Sequence, residues 1–367
     1  MIPFFIPHVG CPYICVFCNQ SRITKNQSTA FDTGIQTLQT LLEPSYMERT
    51  IKEYIGPHRE DKYWEVAFYG GSFSAISKTL QEQLLTPVVK AYEAGLIDGI
   101  RCSTRPDALD EEAIDFLYDH YVRTIEIGVQ SMDDKILENS KRGHTSQDVI
   151  DAVYRLRKKG IKVGLQILPG LPGETWQTMV NTAESISKLK PDFVRIYPVL
   201  VIEDTELADM YRKGLYEPLT VEQAIQYSAF LKTWFDFHHI EVIRIGLQST
   251  EELDSGEGLV AGPYEPAMGE LVVNEQYRQR IERVLLDHDH EFSTLVKPNY
   301  GERNQTITVY YPRQLTSKIR GHQNRNVEYF EKTYSFIQWQ WKCDEKIATD
   351  LCAHTIYMVI DDMKYMI

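Results

Sequence analysis

An alternation along the first 200 residues constrains the fold more than any other feature. Apolar, β-rich runs ending in Gly or Pro are followed by polar or helix-periodic segments. The spacing predicts strands over Met1–Pro7, Glu65–Tyr69, Gly99–Ser103, Thr124–Val129, Lys162–Leu168 and Phe193–Leu200. Helices are expected between them. Thr33–Tyr54 carries Leu38, Leu41, Leu42 and Met47 as its apolar stripe, and Ser77–Tyr92 and Asp110–Tyr118 follow. Ser146–Lys159 has Val149, Val153 and Leu156 at helical spacing and Ser146 as its expected N-cap. Glu174–Lys188 begins after a Gly–Pro-rich turn. About six βα units demand parallel strands joined by right-handed crossovers. A doubly wound open sheet and a barrel or partial barrel both satisfy that demand. In either, chemistry belongs at the C-terminal ends of the strands.

After Leu200 the alternation loosens. Asp204–Lys213 and Thr220–His238 read as helices, and Glu241–Gln248 as a further strand. Ser255–Pro266, with Gly256, Gly258, Gly262 and Pro263, reads as a loop or boundary. Beyond it come a charged helix, Asn274–Leu286, and strands at Thr306–Tyr311, Phe336–Trp341 and Ile356–Ile360, a small α+β appendage. The chain has 367 residues. Single cores stop growing at about 250–300 residues. The expected division is therefore a main domain over 1–250 and an extension over 251–367.

With 43% apolar and 25% charged residues, composition places the chain among globular proteins and against disorder. A net charge of -13 argues against a broadly basic nucleic-acid surface. Two short basic runs, Arg155–Lys159 and Arg320–Arg325, read either as a local groove or as solvated faces. No stretch is apolar for the ~20 residues of a membrane span. Met1–Pro7 lacks the basic start of a leader peptide. The expected location is cytoplasmic, with no membrane partner.

Three of the six cysteines, Cys11, Cys15 and Cys18, fall in a C-x3-C-x2-C segment with Phe17 before the last. In a reducing compartment such packing favours a metal over disulfides. Cys102, Cys343 and Cys352 read as small buried hydrophobes. A [4Fe–4S] cluster normally takes four thiolates. Three leave one iron open to a small molecule, much as catalytic metals keep a free position. Zinc is the competing reading, but it usually pairs two C-x2-C-type halves or adds later histidines. No second half is present, and His8 lies in the strand-like entry to the segment.

Polar residues gather at the predicted strand ends. Gly70, Gly71 and Ser72 follow the second strand, where two glycines let backbone approach a ligand. Ser103 and Arg105 end the third; Arg105 suits a carboxylate or phosphate, or else a surface ion pair. Gln130 ends the fourth, with an amide able to bond ribose hydroxyls, and Arg142 lies twelve residues on. Gln166 sits in the fifth. Tyr69, Phe73, Tyr197 and Tyr264 read as pocket or core.

The cysteine segment after a first strand resembles the radical SAM superfamily. That resemblance implies an α/β partial (β/α)6 TIM-type barrel with a small C-terminal α+β extension. It also implies a [4Fe–4S] cluster on Cys11, Cys15 and Cys18, with S-adenosyl-L-methionine chelating the fourth iron. By the same resemblance Phe17, Gly70, Gly71, Ser72, Ser103, Gln130, Arg142 and Gln166 contact the cofactor. The Gly pair serves its amino group, and Arg142 its carboxylate through a bidentate fork. Many relatives carry a glutamate where Ser103 stands, and a hydroxyl cannot supply that charge. The implied activity is reductive cleavage of the cofactor to a 5′-deoxyadenosyl radical that takes hydrogen from a substrate. An external electron donor of the flavodoxin or ferredoxin type is implied too.

Ser103–Asp107, Glu126–Gln130 through His144, Val194–Ile202, Arg212–Tyr216 and Gly262–Pro266 resemble the catalytic subunit of Elongator and its bacterial relatives, from residue 1 to about 275. Elongator-type proteins add an acetyltransferase domain, before which this chain ends, and a basic N-terminal extension, which it lacks. Both serve tRNA binding and acetyl-CoA delivery there. Their absence and the acidic balance argue against tRNA as partner, although RNA-related chemistry stays within the resemblance. The substrate is left unidentified. The alternative is a coproporphyrinogen-oxidase-like enzyme, which shares the Gln130 and Arg142 arrangement, or a haem-binding chaperone related to it.

Overall fold

The computed structural model describes residues 1–6, 11–19, 38–56, 62–249, 251–287, 305–344, 356–360 and 362–367. It forms two compact units. One is Met1–Ala224 with Trp234–Pro266, and the other is Ile225–Thr233 with Ala267–Ile367.

The first unit is built on β1 (Ile2–Phe5), β2 (Glu65–Tyr69), β3 (Gly99–Thr104), β4 (Val122–Gln130), β5 (Lys162–Ile167), β6 (Phe193–Ile196), β7 (Val201–Ile202), β8 (Glu241–Ile245) and β9 (Leu259–Ala261). Seven of these form one parallel sheet in the order β1-β2-β3-β4-β5-β6-β8. Strand order thus follows chain order without reversal. A doubly wound sheet reverses at a switch point, so that closure is excluded. Crossovers of one hand place the helices on one face, and the sheet curls about the other. The outermost strands, β1 and β8, both contribute to one internal cavity. The fold is the expected partial barrel, with β8 as a seventh strand.

The strands are buried because helices cover one face: Val66, Ile100, Ile125, Val163 and Val194 are all fully excluded from water. The helices start where side chains cap orphan amides. Ser77 caps Lys78–Glu93 and Asp110 caps Glu111–Asp119. The helix expected from Ser146 is capped instead by Thr145, which forms a reciprocal capping box with Asp148. Thr175 and Thr205 likewise cap helices Trp176–Leu189 and Glu206–Arg212. Of Thr33–Tyr54, residues 33–37 lie outside the described residues, as does Pro7. The rest is split by Pro44, which starts a new helix, Pro44–Ile55, after the short Leu38–Leu41.

Two expectations are corrected here. The sixth strand stops at Ile196 rather than Leu200, since Pro198 has no amide for the ladder. Its chain then forms β7, which pairs antiparallel with β9. Ser255–Pro266 therefore contains a strand, hidden in sequence because Gly256, Gly258 and Gly262 flank a segment of only three residues.

The second unit holds β10 (Gln305–Tyr311), β11 (Ile337–Cys343), β12 (Tyr357–Ile360) and β13 (Met363–Met366), ordered β11-β10-β12-β13. Its core joins Ile281 and Leu285 of helix Met268–Asp287 to Ile307, Phe330, Trp339 and Met358. This is the expected α+β extension. Cys343 is exposed, not buried. Burial falls along β11 from Ile337 towards its end, and Cys343 is the last residue of the strand. Cys102 is fully buried in β3 as expected; Cys352 lies outside the described residues. Among the described residues no helix is long and apolar enough to cross a membrane.

Candidate functional site

A cavity of about 550 Å³ opens inside the curled sheet of the first unit. Cys11, Cys15, Cys18 and Phe17 line it from the loop after β1. Gly70, Gly71 and Ser103 line it from the ends of β2 and β3. Gln130, Arg142 and Gln166 complete the set, so residues from six separate segments meet towards the carboxyl ends of the strands.

The cysteine loop is fixed by residues far away in sequence. The Cys18 amide donates to the Cys15 carbonyl at 3.0 Å, which closes a tight turn. The Val16 amide donates to Ser140 at 3.2 Å, and the Val16 carbonyl accepts from Leu207 at 2.8 Å. Arg142 Nη1 reaches Cys15 Sγ at 3.2 Å, while its Nη2 donates to the Gly128 carbonyl at 2.6 Å. Tyr13 lies under the Arg105 guanidinium, 5.1 Å from ring centroid to Cζ. It packs against Gly143 so tightly that a Cβ there would fall 2.4 Å from the ring. Nothing local in the sequence marks Tyr13 for this role.

Gly70 owes its identity to the same crowding. It sits at φ +83°, and a Cβ would meet the Ile6 carbonyl oxygen at 2.5 Å. Gln130 is a non-glycine residue at φ 71°, at a register shift in β4 next to Gly128. Such strain concentrates at functional sites. The bulge turns the Gln130 amide towards the cavity, where the Gln166 Nε2 approaches its oxygen at 3.4 Å. Ser72 is placed differently from the others. It is fully buried, shares a hydrogen bond with Thr104 at 2.8 Å and accepts from the Arg105 amide at 3.2 Å. It ties β2 to β3 beneath the cavity. Arg105 is only 3% exposed and forms a bidentate pair with Asp107 at 2.9 and 3.0 Å. The guanidinium is thus buried while its partner Asp107 is exposed, so the pair straddles the surface.

Deeper in the cavity lies a charged network that no sequence motif marks. Glu126 accepts from Tyr69 at 2.9 Å, from Arg101 at 3.0 Å and from Arg195 at 3.0 Å. Arg101 also donates to Glu65 at 2.6 Å. Burial, then the Glu126 charge, pushes the Tyr69 phenol well above its usual range. These contacts join β2, β3, β4 and β6, so no local pattern could reveal them. The Arg155–Lys159 run is a solvated helix face, with Lys159 on Asp115 at 2.5 Å and Lys158 near Glu111.

The donor set fits an iron–sulfur cluster. Three thiols line one cavity, with the Arg142 guanidinium against Cys15. Among the described residues no three His, Cys, Asp or Glu side chains converge on a single metal ion. A cluster does not require that, because each thiolate bonds a different iron. His8, the nearby zinc-ligand candidate, lies outside the described residues. Arg142 Nε and Arg105 Nη1 are buried donors without a partner, on two residues that line the cavity.

A curled parallel sheet with a cysteine-lined cavity at its strand ends defines a partial TIM-type barrel. The chain belongs to the radical SAM superfamily: the model of that superfamily matches residues 5–186, and the model of the radical SAM C-terminal domain matches 191–279. An uncharacterised protein of Methanocaldococcus jannaschii is 43% identical over 131 residues, covering 35% of this chain and 41% of that one. The tRNA uridine(34) acetyltransferase of the same organism is 39% identical over 133 residues, covering 35% of this chain and 25% of that protein. The heme chaperone HemW of Lactococcus lactis is 26% identical over 68% of this chain and 62% of its own length. These matches span less than two thirds of each relative. Among solved structures, archaeal Elp3 of Methanocaldococcus infernus, lacking its N-terminus, aligns with a TM-score of 0.55 at 27% identity, over 66% of this chain and 58% of that one.

Proposed function

We propose that the chain is a radical SAM enzyme in which Cys11, Cys15 and Cys18 hold a [4Fe–4S] cluster and the surrounding strand ends hold S-adenosyl-L-methionine. The observation that carries this reading is the meeting of the three cysteines with Gly70, Gly71, Gln130, Arg142 and Gln166 on one cavity. When bound and reduced, the cluster supplies the electron that splits the cofactor into methionine and a 5′-deoxyadenosyl radical. The chain's own residues bind and orient. Arg142 and Arg105 offer buried donors to a carboxylate, and Gly70 and Gly71 bring backbone close to an amine. Gln130 and Gln166 present amides to ribose hydroxyls. Ser103 stands beside them with a hydroxyl in place of a carboxylate. Ser72 acts by holding β2 and β3 in register. The apolar residues Leu168, Val199 and Leu200 keep water from the reacting end of the cavity.

The electron comes from an external donor of the flavodoxin or ferredoxin type, and the reaction takes place in the cytoplasm. We take the first unit, Met1–Ala224 with Trp234–Pro266 and so including β9, as the catalytic part and the second unit as the extension. The substrate is a molecule with an abstractable hydrogen. The likeness to tRNA uridine(34) acetyltransferase makes RNA the first candidate to test, by binding that weakens with salt. The test of the enzyme reading is anaerobic. The protein is reconstituted with iron and sulfide, then given dithionite and S-adenosyl-L-methionine, and 5′-deoxyadenosine is quantified. Cysteine-dependent product supports the reading; product from a Cys15→Ala protein overturns it.

A second reading, a haem chaperone, rests on one observation: the match to HemW extends over 68% of this chain. Saturable haem binding with no cofactor cleavage would favour it.

A further inference from the structure

A row of residues crosses the cavity wall in register. Gly128 of β4 stands beside Gln166 of β5, Gln166 beside Arg195 of β6, and Arg195 beside Arg244 of β8. Arg244 reaches this row through a register shift between β6 and β8. Val194 pairs with Val242, yet Arg195 pairs with Arg244, so one extra residue is accommodated. Without that bulge strict alternation would set Ile243 against Arg195. A bulge at a sheet edge re-aims a side chain, and here it brings a guanidinium to the cavity.

Charge is nearly balanced everywhere else along the wall. Arg105 is matched by Asp107. Arg101 and Arg195 are matched by Glu65 and Glu126. Arg142 is occupied by the Cys15 sulfur and the Gly128 carbonyl, and its remaining donor serves the cofactor carboxylate. Arg244 alone among these has no carboxylate or thiol partner among the described residues; its Nε donates to the Gly246 carbonyl at 3.3 Å. That bond anchors the base of the guanidinium and leaves its two terminal nitrogens for a ligand. In a protein of net charge -13, an uncompensated arginine in a cavity is a specific feature and not part of a general basic surface. Its planar fork matches the oxygens of a carboxylate or phosphate.

We infer that Arg244 is the substrate's anion anchor: the molecule that donates hydrogen carries a carboxylate or phosphate, held at the β8 side of the cavity, at the other sheet edge from β1 and its cysteine loop. Resting on the radical SAM reading for what happens to that molecule, the inference deepens it by naming a substrate class. Gln166, between Arg195 and the β4 bulge, separates the cofactor end of the row from the anion end.

The test is binding without turnover. The reconstituted full chain, loaded with S-adenosyl-L-methionine so that Arg142 is engaged, is titrated calorimetrically with succinate, with inorganic phosphate and with uncharged succinamide. At least one anion is expected to bind, and succinamide is not. Arg244→Gln should weaken that binding at least about tenfold, while Arg244→Lys, which keeps charge without the fork, should lie between. The tighter of succinate and phosphate identifies the group. Near-ultraviolet circular dichroism checks that both variants are folded. No binding of either anion, equal binding of succinamide, or unchanged binding in Arg244→Gln overturns the inference. Cofactor cleavage by the wild type is measured separately. Cleavage without anion binding removes only this inference, whereas anion binding without cleavage removes the enzyme reading and with it the anion's role as hydrogen donor, leaving Arg244 as an anion site alone.

Discussion

Arg142 and Cys15, 127 residues apart in sequence, meet with Nη1 3.2 Å from Sγ. Through its other terminal nitrogen the same guanidinium holds the Gly128 carbonyl. One side chain thereby couples the cysteine loop to the end of β4. Replacing it with lysine keeps the charge but loses the fork. Arg142→Lys is expected to retain iron and to lose affinity for S-adenosyl-L-methionine by about tenfold or more, the scale of one charge-assisted hydrogen bond. Equilibrium dialysis of the cofactor checks this, and unchanged affinity would remove Arg142 from the site.

The cysteines should separate cleanly by role. Cys15→Ala is expected to abolish the iron content of reconstituted protein while leaving far-ultraviolet circular dichroism unchanged. Cys102, fully buried in β3, should behave in the opposite way. Cys102→Ala keeps iron and costs roughly 1 kcal/mol of stability from lost packing. Iron and sulfide assays beside denaturant titration distinguish the two outcomes.

Gly128 is required by its neighbours. A Cβ there would lie 2.9 Å from Gln130 Nε2 and 3.4 Å from Arg142 Nη2. Gly128→Ala should displace both side chains, costing about 1–3 kcal/mol of stability and weakening cofactor binding together. A variant with wild-type stability and affinity would show that this packing has no consequence.

His144 gives the protein an acid sensitivity. Burial, then the charges of Arg142 and Arg105, holds its imidazole down to about 3, against the pull of the Val129 carbonyl. The unfolded chain titrates near 6.5. Below that pH the unfolded state binds the extra proton and the folded state does not, so stability falls as pH drops from about 6.5 towards about 3. The loss amounts to a few kcal/mol at most. His144→Gln should flatten this part of the pH–stability curve, and an unchanged curve would assign the sensitivity to other groups.

Thr145→Ala tests the local architecture alone. Loss of the capping box with Asp148 should cost about 1 kcal/mol and leave cofactor binding intact. Chemical denaturation against a calorimetric binding curve reports both.

Sequence alone determined most of the main-sheet strands and the cysteine loop, because both are written at short range. Periods of 2 and 3.6 and the punctuation by Gly and Pro place strands such as Glu65–Tyr69, which matches residue for residue. The spacing of Cys11, Cys15 and Cys18 lies within eight residues. What periodicity left open, a doubly wound sheet or a barrel, was decided by strand order, a property of long-range pairing. The tertiary structure alone decided that Thr145 and not Ser146 caps its helix, that Ser72 faces the β2–β3 seam, and that Tyr13 and Gly143 clamp the loop. It also decided that Arg195 and Arg244 stand side by side. That last pairing depends on one extra residue in a bulge between strands whose paired residues lie nearly fifty positions apart. An inserted residue turns every later side chain to the other face, and nothing in the local pattern announces it.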